Sequence, residues 1–173
     1  MWGVLYKRAG LNISPLIYGG EQERGFRAGT ENIAVLVSPG YAIEESIDTM
    51  FGEVERLCGM SEDTVNGIKK RIPFVRINGD DQHRLPGIVN LGLDGILGES
   101  LMHLLDLKGV CVSTSSACTS GKDEPSHVLQ ALGQNEQQTW SAIRISYGGY
   151  NTIGEVEIIV KTICDFCEKI MAN

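Results

Sequence analysis

The sequence is short of basic charge: fifteen lysines and arginines stand against twenty-two acids, a formal net charge of −7 over 173 residues. A surface that tracks a phosphate backbone needs the opposite balance, so no nucleic acid is expected as a partner. Long apolar runs are missing as well. Stretches such as Ile158-Ile159-Val160 extend over a few residues, far below the roughly 20 needed to cross a bilayer, and no membrane role is expected. Met1-Trp2-Gly3-Val4-Leu5-Tyr6-Lys7-Arg8 has no basic stretch ahead of an apolar one and no small-residue cleavage site. It does not read as a secretory leader, and the expected location is cytoplasmic. An even-numbered cysteine framework is absent too. The five cysteines, Cys58, Cys111, Cys118, Cys164 and Cys167, are odd in number and scattered, which suits reduced thiols rather than a disulfide framework. Internal repeats and low-complexity segments do not occur. What remains, 42% hydrophobic and 21% charged residues, is ordinary globular composition.

Patterning then divides the chain into alternating strands and helices. Val4 to Tyr6 reads as a short strand, followed by an extended Leu11 to Ile17 and a loop rich in glycine and charge from Gly19 to Thr30. Thr30 is expected to cap a helix whose apolar run is Ile33, Val35, Leu36 and Val37, with Ser38-Pro39-Gly40 breaking or kinking it before it resumes to about Met50. Val54, Leu57, Cys58, Val65 and Ile68 continue at helical spacing to Ile72, weakened by Gly59 and Gly67. Phe74 to Ile77, Ile88 to Leu93, Val110 to Val112 and Ala142 to Tyr147 read as strands. Helices are predicted over Gly98 to Leu107, from a Ser126 cap to Leu132, and over Val156 to Ile170. The interleaving makes the class α/β.

Three features could carry chemistry. Cys118 lies in Ser115-Ser116-Ala117-Cys118-Thr119-Ser120-Gly121, a run of small polar residues unlike the setting of a core cysteine. A thiol held out there could ionise and act as a nucleophile, or be incidental to an exposed loop. Arg144 sits among apolar neighbours in Ala142-Ile143-Arg144-Ile145-Ser146 and calls for an anion, either a substrate carboxylate or a structural Asp or Glu. The glycine loop ending at Thr30, with Arg24 and Arg27, has the ingredients of a phosphate site. By contrast Cys164-Asp165-Phe166-Cys167 places both thiols on the apolar stripe of the last helix, so it reads as core rather than as a redox or zinc motif. Cys58 and Cys111 also read as core. His83, His103 and His127 share no metal-ligand spacing.

Four segments, taken in order, resemble a known family: Gly19 to Asn32, Arg84-Leu85-Pro86-Gly87-Ile88-Val89-Asn90, Ser116 to Gly121 with Glu124 to Leu129, and Ile143 to Gly148 with Tyr150-Asn151-Thr152. Together they resemble the NifS/IscS type of cysteine desulfurase, a pyridoxal-phosphate enzyme of the aminotransferase class V fold (fold type I). The resemblance implies that Cys118 takes the sulfur of L-cysteine as a persulfide, with release of alanine, and that this sulfur is delivered to an acceptor such as an iron-sulfur scaffold protein. It implies that Arg144 binds the substrate α-carboxylate, and that Thr30 reaches the cofactor phosphate of a partner subunit in a homodimer. The family's Schiff-base lysine precedes the segment matching Gly3 to Tyr6, so it is expected to lie outside this chain, with Lys7 no substitute. Residues 1–50 are then expected to be the tail of the cofactor-binding large domain and 51–173 a complete small domain. The chain alone is expected to be inactive unless a complementary half joins it. The alternative is a non-catalytic persulfide carrier or interaction module.

Overall fold

Alternation of apolar and polar side chains along two short segments builds the centre of the molecule. In the computed structural model, which describes residues 4–80, 83–114 and 125–171, Ile88–Gly92 (β2) and Ala142–Ser146 (β3) pair antiparallel, and Arg76–Ile77 (β1) pairs with the other edge of β2. The order is β1-β2-β3. Val89 and Leu91 on β2, with Ile143 and Ile145 on β3, are buried on one face. Asn90 and Arg144, directly opposite each other in the register, lie on the other.

Helices cover the apolar face. The chain separates into two compact units, Met1–Met50 and Phe51–Asn173. In the second, Met60, Val65 and Ile68 of α1 (Ile33–Arg71), Leu101 and Leu105 of α2 (Gly98–Asp106), and Val156, Ile159 and Ile163 of α5 (Ile153–Met171) join the sheet in one core. Contact between α1 and α5 requires Gly67, since a Cβ there would stand 2.9 Å from Val160 Cγ1. Beneath the core, Thr64 Oγ1 and the buried Tyr147 hydroxyl are 2.6 Å apart. Two short helices complete the unit: α3 (His127–Ala131), capped by Ser126, and α4 (Glu136–Trp140), closed by a capping box between Asn135 and Gln138.

The first unit is built differently. Ala28 is its one buried residue among those described, while Val4, Leu5, Tyr6, Leu16, Ile33 and Tyr41 are exposed.

Several expectations are corrected. Val4 to Tyr6 forms no strand, because a lone segment has no described neighbour to satisfy its ladder. Thr30 does not cap the helix: Asn32 does, its Oδ1 accepting from Val35 N at 3.2 Å, two residues nearer the first helical turn. Pro39 does not break α1, which runs on through it. Proline removes one donor, and the remaining bonds of a long helix, with Ser38 Oγ donating to Ala34 O at 2.9 Å, hold the path. Val110 to Val112 forms no strand; the only pairing there is an isolated antiparallel bridge of Ser113 with Arg144.

Candidate functional site

Arg144 occupies a crowded backbone and an open side-chain position. Its amide donates to Ser113 O at 2.6 Å and its carbonyl accepts from Ser113 N at 3.1 Å, while β2 pairs on the other side. The segment leading into the hydroxyl-rich loop is therefore tied to the arginine's own backbone. The guanidinium is half-buried, and no hydrogen bond or ion pair engages it among the described residues. Of the two anions the sequence allowed, no structural carboxylate meets it among the described residues.

The same sheet face carries a polar network. Arg76 pairs with Asp94 and donates to Gln138 O at 3.0 Å, Ser141 Oγ at 3.3 Å and, through Nε, to Asn78 Oδ1 at 3.1 Å. Gly92 makes room for it, since a Cβ there would collide with the guanidinium. Asn78 Oδ1 also accepts from Gln134 Nε2 at 2.5 Å, and Asn78 Nδ2 donates to Asn90 Oδ1 at 2.6 Å. This network escaped the sequence reading because its members are separated along the chain. The signal available was Asn78 and Asn90 standing in strand-adjacent positions, where turn chemistry explained only the first.

Cys118 lies outside the described residues. Thr30 is exposed, in the first unit, in the loop where Glu23 and Arg24 adopt φ of 50° and 58°, a left-handed backbone uncommon for non-glycine residues. Arg144 belongs to the second unit. Cys111, expected in the core, is instead exposed, because Val110 and Val112 pack against the core and the residue between them faces the other way. Cys58 is half-buried. Cys164 and Cys167 are buried as expected; burial pushes both thiols up, Cys167 to about 12, which removes them as nucleophiles near neutrality. No group of His, Cys, Asp and Glu among the described residues could hold a metal. Nor is any helix among them long and apolar enough to cross a membrane.

A profile of the family described as Aminotransferase class-V matches residues 3–159. The chain belongs to the class V aminotransferase family. It is 41% identical over 168 residues to the cysteine desulfurase IscS of Dictyoglomus turgidum, covering 97% of this chain and 43% of that protein. It is 37% identical over 161 residues to the cysteine desulfurase NifS of Azotobacter vinelandii, covering 93% and 40%. Among solved structures, a NifS-like protein superposes with a TM-score of 0.81 at 31% identity, over 94% of this chain and 41% of its own. A NifS-like protein from Rickettsia africae gives 0.78 at 27%, over 91% and 41%. The fold is thus that of the NifS-like class V aminotransferases, and the chain spans about two-fifths of the length of the curated relatives it matches.

Family membership implies pyridoxal phosphate, and the described residues do not by themselves fit it. None of the described lysines is buried. Lys7 donates to Leu11 O at 2.7 Å and lies over the Phe26 ring, which leaves it no enclosed site in which to form a Schiff base. A phosphate contact from the exposed Thr30 hydroxyl is the part of such a site that this chain could offer.

Proposed function

We propose that this chain is the C-terminal portion of a cysteine desulfurase, contributing the carboxylate grip and the sulfur-accepting thiol to a site whose cofactor is held mainly by other residues. Those residues belong to a second polypeptide or to further sequence of a longer chain. L-cysteine is held through its α-carboxylate by the planar fork of Arg144. The Cys118 thiolate attacks the substrate sulfur; the S–S bond forms as the substrate Cβ–S bond breaks, the electron pair stays with the carbon, which takes a proton and leaves as alanine, and the outer sulfur then passes to an acceptor of the iron-sulfur scaffold type. Thr30 contacts the cofactor phosphate of a partner subunit in a homodimer. Residues 1–50 act as the tail of the large domain and 51–173 as the small domain, in the cytoplasm.

The observation that carries this reading is the Arg144 guanidinium, unpartnered among the described residues, whose backbone is bridged to Ser113. Cys118 follows Ser113 by five residues (118 minus 113), so covalent reach alone keeps it within about 18 Å of that bridge. Further support comes from the first unit, whose apolar side chains are exposed around a single buried alanine. Such a segment buries too little surface to offset its ordering and calls for a covering polypeptide.

The test mixes this chain with a lysine-bearing N-terminal half of a relative, pyridoxal phosphate and L-cysteine. Alanine release is expected, and Cys118→Ala is expected to abolish it. Arg144→Lys, which keeps the charge and loses the fork, should raise KM about tenfold or more. Persulfide on Cys118 without any alanine release in every combination would favour the carrier role instead.

A further inference from the structure

The polar network ends in a donor that no described residue uses. Arg76 has no acceptor atom, so the Asn78 atom bonded to its Nε is an oxygen and the other end of that amide is the NH2 group. That NH2 donates to Asn90 at 2.6 Å, which makes the receiving atom the oxygen of Asn90 and leaves Asn90 Nδ2 as the outward group. Among the described residues Asn90 Nδ2 has no hydrogen-bond acceptor, and neither does the guanidinium of Arg144. The two residues are register partners across β2 and β3, so their Cβ atoms are about 4.5–5.5 Å apart on one face.

We propose that Asn90 Nδ2 is a second donor of the carboxylate site headed by Arg144, with Asn78 and Arg76 as positioning residues that set the direction of its amide. This rests on reading Arg144 as the carboxylate residue. A carboxylate has two oxygens and about four lone-pair positions, of which the arginine fork occupies two. The asparagine takes a third on the side away from Ser113. Arg76 itself is not available to substrate: its guanidinium is engaged by Asp94, Asn78, Gln138 and Ser141. The ligand class is therefore a small carboxylate. A neutral amide is rejected, because it accepts at one oxygen only and presents its own NH2 to the remaining donor.

The test is a titration of the full chain, labelled with 15N, with sodium acetate and separately with acetamide, following the Asn90 side-chain amide pair and Arg144 Nε. Asn90→Asp identifies the amide pair by its disappearance, while keeping an oxygen for Asn78. Acetate is expected to move both sets of signals with one midpoint, and acetamide neither. In Asn90→Asp, acetate should shift Arg144 Nε with a midpoint at least about tenfold higher. If acetate moves Arg144 Nε and leaves the Asn90 amide in place, the second donor is refuted and the role of Arg144 stands. If neither signal moves, the carboxylate reading of Arg144 fails and takes this proposal with it. If the aspartate variant does not fold, the Asn90 amide pair is assigned through its own Cβ in triple-resonance spectra of the wild-type chain, whose titration then decides between these outcomes.

Discussion

The four described thiols share one chemistry but sit in different surroundings, and those surroundings set their reactivity. Cys111 is exposed, Cys58 half-buried, and Cys164 and Cys167 sealed in the core with their ionised forms disfavoured by desolvation. At pH 8, iodoacetamide should therefore alkylate Cys111 ahead of Cys58 and spare Cys164 and Cys167 until denaturant is added. Peptide mass mapping over time checks this, and early labelling of Cys167 would contradict the packing of α5. The C-x-x-C pair was legible as core from its place on the apolar stripe. The exposure of Cys111 was not, because three apolar residues in a row do not say which of them face inward, and only the packing of Val110 and Val112 on the core turns the cysteine between them outward.

Among the elements, α4 and the join of α1 with α5 rest on identifiable interactions. Asn135 Oδ1 accepts from Gln138 N at 2.9 Å and Gln138 Oε1 from Asn135 N at 3.1 Å, so the cap satisfies two donors. Asn135→Ala should cost about 1 kcal/mol, read as a drop in denaturant midpoint at unchanged slope. Gly67→Leu should cost about 1–3 kcal/mol by forcing side-chain volume against Val160, in the same measurement. Helix type and position were readable for α2 and α5 from apolar periodicity and for α3 from its Ser126 cap. The continuity of α1 through Pro39 was not, since proline's local penalty says nothing about how many bonds on either side sustain the path.

For the whole molecule, charge sets the pH window of stability. Hydrogen bonds from Arg56, Asn151 and Arg71 hold Glu53, Glu155 and Asp165 respectively below the usual carboxylate range. Carboxylates lowered in the folded state contribute stability that is complete above their unfolded values, about 3.9–4.3, and is lost as pH falls through the lower folded ones. The buried Cys167 thiol acts with opposite sign: its contribution is complete below the unfolded value of about 8.5 and is lost as pH rises toward about 12. Melting temperature against pH should thus show a plateau falling off at both ends, the alkaline fall shrinking in Cys167→Ala. A second expectation concerns the two units. Residues 51–173 contain the core, so removing 1–50 should leave a cooperative transition and reduce self-association, as followed by sedimentation.

Periodicity, caps and turn residues act over a few positions, and so the sequence by itself determined the α/β class, most helices, the apolar face of β2 and β3, and the motifs that mark the family. It also singled out Arg144 as a cation without an evident partner. Which groups stand beside that cation was decided only in three dimensions. Asn90 faces Arg144 because antiparallel register brings positions 90 and 144 together, and Arg76 orients Asn90 through Asn78 because Gly92 lets its guanidinium cross the sheet. Register depends on how whole strands bury their apolar faces, a property no short stretch of sequence contains.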